Sequence, residues 1–378
     1  MPEARCRVCR GRLPATPILA LHGMPASAQD FPTRETLGDD HAQNLDIHQC
    51  PGCGLVQLAC RPVPYYREVI RAAAYSPEMG EFRREQFRAW AEYYHLKKAP
   101  VLEIGCGRGE YLALLREAGM DASGIEYSQI NLNACRTSGL PARRGFLSRP
   151  GQRLKTPPFA AFACFNFMEH WPDPVGSLRA IGEQLRPAGI GFVEVPNFDM
   201  ILEKALYSEF IADHLSYFTA ETLAFTLQMA GFEIIETRCI WKDYILSAVV
   251  RKRQAVDVST LAGQQQRMRQ QLVDFLASFP PGDVAVWGAG HQALATIALT
   301  GIAPQLRYVV DSAPFKQGKY TPATHLPIVS PGHLKTEPVQ AVIIMAAAYS
   351  DEVARQIRAN FSPALNVRIL RDDHLEAL

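Results

Sequence analysis

A glycine-rich turn between an apolar run and a helical pattern constrains the fold of this chain most strongly. The apolar run is 100–104, the glycines are Gly105, Gly107 and Gly109, and the helical pattern begins at Glu110. Because glycine has no Cβ, the backbone there can turn sharply and approach a ligand closely. The pattern therefore predicts a strand, a tight turn and a helix arranged around a bound small molecule.

Apolar strand patterns alternate with helical patterns along most of the chain after this turn. The predicted strands are 100–104, 121–126, 159–165, 189–195, 232–240 and 244–250, and the predicted helices are 80–96, 110–118, 129–137, 175–185 and 219–229. Such alternation is typical of a parallel sheet covered on both faces, here closed by an antiparallel pair. A long helical pattern at 257–279 and strands from 284 onward predict a second α/β unit.

The acidic residue Glu126 strengthens the interpretation of the turn as a ligand site. It ends the second predicted strand, where a carboxylate can accept both hydroxyls of a ribose. The turn lacks the GxxxxGK[ST] pattern, which excludes a P-loop of that type. An NAD or FAD site, and a packing turn without any ligand, remain alternatives at this point.

Two CxxC pairs lie near the N-terminus, at Cys6/Cys9 and Cys50/Cys53. Four thiolates complete the closed tetrahedral shell that suits zinc and leave no open position, so the predicted zinc is structural. Residues 1 to about 75 are predicted to be irregular and to lack a sufficient hydrophobic core. Such a segment usually needs a structural metal ion or disulfides to be stable. Unrelated buried cysteines or a redox pair are the alternatives.

The composition narrows the function classes. The formal net charge of +1 gives no electrostatic signature of nucleic-acid or anionic-lipid binding. The longest strongly apolar stretch, 341–349, is far shorter than the ~20 residues of a membrane span. The nine cysteines favour a reducing compartment with one metal site over a disulfide framework, and no secretory signal is recognisable. We therefore expect a cytoplasmic protein of two or three domains, without a membrane or nucleic-acid partner.

A second glycine turn follows the strand at 284–287. It contains Gly288 and Gly290, and Asp311 follows at the distance expected of a nucleotide-binding acidic residue. An NAD site is possible here, but a packing or substrate-binding role of a Rossmann-like unit is favoured. Lys316 and its neighbours either contact a diphosphate or lie in a solvated loop.

Three places carry residues suited to acid–base chemistry. They are the run Glu169-His170-Trp171 after the fourth core strand, the run from Asp213-His214 to Phe218, and Tyr75-Ser76. Histidine with a neighbouring carboxylate can remove a proton next to a carbonyl. A structural, hydrogen-bonding histidine is an equally good interpretation of His214 taken alone.

The turn, with its acidic residue two positions before the first glycine, resembles the ExGxGxG fingerprint of class I S-adenosylmethionine (SAM) methyltransferases. The whole chain resembles the C-methyltransferases of nucleotide-linked 4-keto-deoxy sugars. The matching segments are Cys6/Cys9/Cys50/Cys53, 103–109, 213–218, 309–311 and 316–322. The resemblance implies an α/β fold, with a class I Rossmann-like sheet between an N-terminal zinc-binding module and a C-terminal Rossmann-like domain.

The resemblance also assigns roles to residues. It implies SAM and zinc as cofactors, with SAM held by Glu103, Gly105, Gly107, Glu126, Tyr127, Asn166 and Phe167. His214 is then the general base, with Asp213 beside it, Tyr75 holding the sugar or its enolate, and His170 at the reacting centre. The chain departs from the family in having Asp rather than Glu at 213, and Gly290-His291-Gln292-Ala293 in the C-terminal turn.

These observations lead to one hypothesis with two alternatives. The hypothesis is SAM-dependent methylation of carbon 3 of a nucleotide-linked 4-keto sugar. The chain is then divided into a zinc-binding module, 1–75, a SAM-dependent methyltransferase domain, 76–254, and a C-terminal Rossmann-like substrate-binding domain, 255–378. The alternatives are O-methylation of a sugar or other small hydroxylated acceptor, and a non-catalytic SAM- and nucleotide-binding assembly factor. The sequence does not identify the sugar, the nucleotide or the oligomeric state, and a monomer is one of the options.

Overall fold

The computed structural model describes residues 4–69, 76–156 and 158–378. The chain divides into two compact units, Met1–Gln254 and Ala255–Leu378. The strands of the first unit are β1 Leu19–Pro25, β2 Ala42–Gln49, β3 Val56–Leu58, β4 Pro100–Ile104, β5 Asp121–Glu126, β6 Ala142–Arg144, β7 Phe159–Phe165, β8 Leu185–Pro196, β9 Ser216–Tyr217, β10 Phe232–Ile240 and β11 Ile245–Lys252. Its helices are α1 Pro77–Tyr93, α2 Glu110–Glu117, α3 Gln129–Thr137, α4 Pro174–Gly182, α5 Phe198–Glu203 and α6 Ala220–Met229.

The central sheet of the first unit has seven strands in the order β10-β11-β8-β7-β4-β5-β6. The five strands from β8 to β6 are parallel neighbours, whereas β11 runs antiparallel to both β8 and β10. Numbered in chain order within the sheet, the strands read 3-2-1-4-5-7-6 from the β6 edge. The order reverses at β4, and ligands of open α/β sheets bind at the carboxyl ends of strands at such a switch point. This sheet confirms the predicted class I methyltransferase fold.

Residues of the central strands are buried because helices cover both faces of the sheet. All seven residues of β7 are buried, as expected for a parallel strand in the middle of a doubly wound sheet. One face packs around Phe162, Leu178 and Phe232, and the other around Phe87, Leu112 and Phe165. These two apolar layers fix the strand ends that carry the site.

The N-terminal segment is more regular than the sequence predicts. It contains β1, β2 and β3, which form an antiparallel sheet completed by β9 from the middle of the chain. The prediction of an irregular segment was therefore wrong. The strands escaped detection because most residues of β1 and half of those of β2 are exposed, and because neither strand has strict apolar alternation.

The second unit is a smaller α/β unit. Its strands are β12 Val284–Trp287, β13 Leu306–Val310, β14 Ile328–Val329, β15 Ala341–Ile344, β16 Asn366–Leu370 and β17 Leu375–Ala377. Its helices are α7 Ser259–Leu276, α8 His291–Thr300, α9 His333–Thr336 and α10 Ser350–Asn360. The sheet order is β14-β13-β12-β15-β16-β17, parallel except for β17, and it has the predicted Rossmann-like character.

No helix in the described parts of the chain is both long enough and apolar enough to traverse a bilayer.

Candidate active site

The first glycine turn lies at the carboxyl end of β4. Gly105 and Gly107 have φ of +69° and +56°, in the left-handed region that favours glycine. A Cβ on Gly105 would lie 2.6 Å from Cδ1 of Phe167, so the turn cannot accept a larger residue without displacing that ring. The N–H groups of Gly105 and Cys106 both donate to the carbonyl of Ile125. The neighbouring strand β5 therefore fixes the turn.

The carboxylate of Glu126 is tied to this turn. Its Oε2 accepts a hydrogen bond from the N–H of Gly107 at 2.9 Å, and its Oε1 accepts one from the N–H of Ser128 at 2.7 Å. Burial raises the pKa of Glu126, and these backbone bonds act against that shift. Each carboxylate oxygen keeps a further lone pair, so the oriented group can still accept ribose hydroxyls.

A cavity of about 700 Å³ borders the turn. Four predicted cofactor residues line it: Gly105, Gly107, Asn166 and Phe167. Other lining residues come from α1, α5 and the loop before β11, namely Met79, Arg83, Met200, Trp241, Lys242 and Tyr244. The sheet therefore brings residues from opposite ends of the first unit's sequence around one space large enough for a small-molecule ligand.

Asn166 supplies an observation that fits a bound ligand. It has φ of +47°, and its N–H donates to the carbonyl of Glu194 at 2.8 Å. Its side-chain Oδ1 is buried and has no hydrogen-bond partner within the described residues. An unsatisfied buried acceptor costs about 1–3 kcal/mol, which a donor from a ligand in the cavity would recover.

The remaining predicted cofactor residues lie close by without lining the cavity. Glu103 is buried on β4. The Tyr127 ring follows Glu126 and lies 5.4 Å from the guanidinium carbons of both Arg67 and Arg144. The residues lining the cavity do not include Glu103, Glu126 or Tyr127.

A carboxyl group and two imidazoles cluster after β7. His170 lies in a 3₁₀ turn, Met168–His170, and its ring centroid is 4.8 Å from that of His214. Nε2 of His170 is 3.9 Å from Oε1 of Glu169, and one donor atom from each of the three residues lies within 4.8 Å of the others. Neither histidine lines the cavity, but Phe167, which does, has its ring centroid 6.4 Å from that of His170.

Burial sets the protonation states in this cluster. It lowers the pKa of His170 to about 4, against a small opposing effect of the bond to the Asp213 backbone. Burial, followed by the proximity of His170, holds the pKa of His214 well below its usual range. Burial raises the pKa of Glu169 to about 8. At neutral pH both imidazoles are therefore neutral and Glu169 is mostly protonated.

Replacing Glu169 by Gln is expected to remove a pH-dependent loss of stability. The folded-state pKa of about 8 lies above the ordinary value of 4.5, so the native state holds the proton more tightly than the unfolded state. The wild type then loses stability as pH rises from about 4.5 to about 8, by up to about 5 kcal/mol. Urea unfolding at several pH values should show that the free energy of unfolding of the variant increases relative to that of the wild type across this pH range. The exposed Glu203→Gln should show no such gain, and parallel curves for Glu169→Gln and wild type would contradict the assignment.

Asp213 connects this cluster to the N-terminal segment. Its main-chain oxygen lies 2.8 Å from Nδ1 of His170, whereas its carboxylate accepts hydrogen bonds from the Tyr65 hydroxyl and the N–H of Ala28. The carboxylate is thus directed to the N-terminal segment. Tyr75, predicted to hold the substrate, lies outside the described residues.

The four predicted zinc ligands come together. The Sγ atoms of Cys6, Cys9, Cys50 and Cys53 all lie within 4.8 Å of one another. The Cys6–Cys53 and Cys9–Cys50 distances are 3.5 and 3.4 Å, close to the ~3.8 Å between thiolates on one tetrahedral zinc ion. Burial raises the pKa of Cys6, but hydrogen bonds from Gln57 and the backbone outweigh it and bring the pKa to about 7. The set fits a soft, tetrahedral metal ion.

The acidic residue that follows the second glycine turn, Asp311, is hydrogen-bonded within its own unit. Both oxygens of Asp311 are engaged: Oδ2 accepts from the N–H of Ala289 and from Nζ of Lys316, both at 2.8 Å, and Oδ1 accepts from the N–H of Ala313 at 2.9 Å. Lys316 also donates to the carbonyl of Ala289. Asp311 and Lys316 therefore fasten one loop to the next, which favours the packing role over a free ribose-binding carboxylate.

Two family models match this chain in sequence order. A model described as a methyltransferase domain matches residues 79–237, and one described as a C-methyltransferase C-terminal domain matches residues 253–363. The chain is a SAM-dependent methyltransferase. The first match contains the glycine turn, Glu126 and both clustered histidines, and the second contains Asp311.

The similarity to known methyltransferases covers very different shares of this chain. The C-methyltransferase NovU of Streptomyces niveus is 22% identical over 93% of this chain and 91% of its own length. The ubiquinone biosynthesis O-methyltransferase of Bordetella avium is 29% identical, but the match covers 26% of this chain and 42% of that protein. Among solved structures, the CcbJ methyltransferase from Streptomyces caelestis has a TM-score of 0.40 and 18% identity, covering 50% of this chain and 95% of its own.

Two residues of the candidate site were incompletely described by the sequence. Glu169 was recognised as the carboxylate beside His170, but a carboxyl group next to an imidazole in sequence does not reveal that it is buried. Tyr65 gave no signal, because its partner Asp213 is 148 residues away. Only the folded chain brings these groups together.

Proposed function

We propose that this enzyme transfers a methyl group to carbon 3 of a nucleotide-linked 4-keto-deoxy sugar. The observation that carries the proposal is the pair of neutral imidazoles, the buried His170 and the partly buried His214, next to a ring of the cavity wall. A histidine that removes a proton next to a ketone must be in its neutral form before the reaction. The similarity to a C-methyltransferase along nearly the whole chain supports the same reaction type.

In the proposed reaction His214 accepts the proton from the carbon next to the ketone. Tyr75, from outside the described residues, holds the enolate oxygen that forms, and His170 lies at the reacting centre. SAM, when bound by the residues at the glycine turn, Glu126, Asn166 and Phe167, supplies the electrophilic methyl group, which the carbanion carbon takes with loss of S-adenosylhomocysteine. Alignment of the two reactants in the cavity supplies much of the acceleration, since effective molarity can offset about 7–11 kcal/mol.

We assign the metal and the outer domains as follows. The four cysteine thiolates hold a structural zinc ion in the N-terminal module, 1–75, with no open coordination position. Residues 76–254 carry SAM, and 255–378 contribute to binding the nucleotide sugar. These assignments are supported by the cysteine cluster and by the match to a C-methyltransferase C-terminal domain.

Product analysis tests the proposed reaction. The enzyme is incubated with SAM carrying a labelled methyl group and a panel of nucleotide-linked sugars with and without a 4-keto group. We expect label only with the keto sugars, and a methyl carbon bonded to carbon in the NMR spectrum. Label on oxygen, or on sugars that lack the ketone, would establish O-methylation instead. SAM binding by calorimetry without product from any acceptor would favour the assembly-factor alternative.

A further inference from the structure

Tyr65 makes a dense set of hydrogen bonds at the edge of the histidine cluster. Its hydroxyl lies 2.6 Å from Oδ2 and 3.1 Å from Oδ1 of Asp213. The hydroxyl of Ser27 lies 2.5 Å from the same phenol oxygen, and the N–H of Ala28 donates to Oδ1 of Asp213 at 3.1 Å. Two short stretches of the N-terminal segment therefore hold one carboxylate from two directions.

The main chain of the held residue determines the tautomer of His170. The carbonyl oxygen of Asp213 can only accept a hydrogen bond, and it lies 2.8 Å from Nδ1 of His170. The proton of the neutral ring must then be on Nδ1, which leaves Nε2 as an acceptor. Nε2 is the atom that lies 3.9 Å from the carboxyl group of Glu169.

The segment around Asp213 is fixed on its other side as well. The N–H of Leu215 donates to the carbonyl of Glu169 at 2.8 Å, and the N–H of Leu58 donates to the carbonyl of Leu215 at 3.1 Å. Rotation of the Asp213 peptide is therefore restrained after residue 214 by backbone bonds. On the other side, the N–H of His214 donates to the carbonyl of Ile211 at 3.2 Å, and the carboxylate of Asp213 accepts from Tyr65 and Ala28.

We propose that Tyr65 is a positioning residue, which acts through Asp213 to hold His170 as the Nδ1–H tautomer with Nε2 open to the reacting centre. This inference rests on the proposed function for its kinetic consequence, but not for the tautomer itself. Loss of the phenol hydroxyl leaves the buried carboxylate of Asp213 short of a donor. The side chain and the main-chain carbonyl of Asp213 can then rotate. The Nδ1–H group of His170 would lose the carbonyl oxygen that accepts its hydrogen bond.

The tautomer of His170 is a direct test on the full-length protein. In protein labelled with ¹⁵N in histidine, we expect the wild type to show the His170 Nδ1 resonance of a protonated nitrogen and the Nε2 resonance of an unprotonated one. Tyr65→Phe should give exchange-averaged resonances. Asp213→Ala keeps the main-chain carbonyl but removes the carboxylate, and it should give the same change. Tyr93→Phe, at an exposed tyrosine at the end of α1, should leave the spectrum unchanged.

Kinetics separates positioning from general support of the fold. Tyr65→Phe should lower kcat by about ten- to a hundredfold, with little change in the KM for SAM, because a small misplacement of a reacting group costs up to about that much. The double variant with Asp213→Ala should lose no more than the worse single variant, as expected for residues that act through one contact. An unchanged His170 tautomer in Tyr65→Phe, or additive losses, would overturn the inference. If no sugar of the panel were methylated by the wild type, the proposed function would fail while the NMR experiment still decided the role of Tyr65.

Discussion

Replacing His214 by Asn is expected to lower the rate of methyl transfer by about 10²- to 10⁴-fold while leaving SAM binding within a few-fold of the wild type. The burial that holds the pKa of His214 well below its usual range keeps the ring neutral, so the neutral amide changes no charge in the resting site. The glycine turn and Glu126, which hold SAM in the proposed site, are fixed by β5 and by backbone bonds remote from residue 214. The loss should therefore be chemical, and it is measured with labelled SAM at saturating acceptor.

A matched substitution at another histidine is the control for this experiment. His95→Asn changes an exposed imidazole just after α1, and we expect it to retain activity. Solvent exchange at carbon 3 of the keto sugar, followed in D₂O without SAM, isolates the proton-removal step. His214→Asn should abolish this exchange, and near-normal exchange or turnover would remove His214 as the base.

The cofactor end of the site could be predicted from the sequence because its chemistry is local. The turn at Gly105 directly follows a buried strand and directly precedes a helix. The apolar run, the glycines and the helical pattern are therefore adjacent in the sequence, and together they predict the strand, the turn and the helix. Glu126 belongs to the same unit, since the carboxyl ends of neighbouring parallel strands meet at one edge of a sheet. The observed strand β4 begins and ends where the sequence predicts.

The reacting end could be predicted only as separate pieces. His170 and His214 were recognisable as candidates, but their contact at 4.8 Å depends on a loop that returns between β8 and α6. The tie between Tyr65 and Asp213 and the pairing of β3 with β9 join segments about 150 residues apart, and no periodicity reports such pairing. Burial, which sets the pKa of Glu169, is likewise a property of the packed chain.

Cys50→Ser removes one ligand of the proposed zinc ion, and we expect it to unfold the N-terminal side of the enzyme and to abolish methyl transfer. Structural zinc sites contribute about 10–16 kcal/mol of binding free energy, and most of it appears as folding free energy of the module. Cys6 and Cys50 belong to the same packed core as Trp171 and Phe218, so the cysteine cluster and the histidine cluster share one apolar layer. Gln57 donates from β3 to Sγ of Cys6, and the same residue pairs with Ser216 just after His214.

The expected disorder should follow that chain of contacts. Hydrogen exchange should show lost protection in β2, β3 and β9, with β4 and β5 retaining theirs, because the latter pair inside the seven-stranded sheet. Metal analysis should find less than one zinc per chain in Cys50→Ser and a full complement in Cys60→Ser, whose thiol lies outside the cluster. SAM binding should survive in both variants, since its proposed ligands are held by β4, β5 and β7. A Cys50→Ser protein that kept its zinc would remove Cys50 as a required ligand. One that lost its zinc but kept its activity would show that the module does not support the histidine cluster.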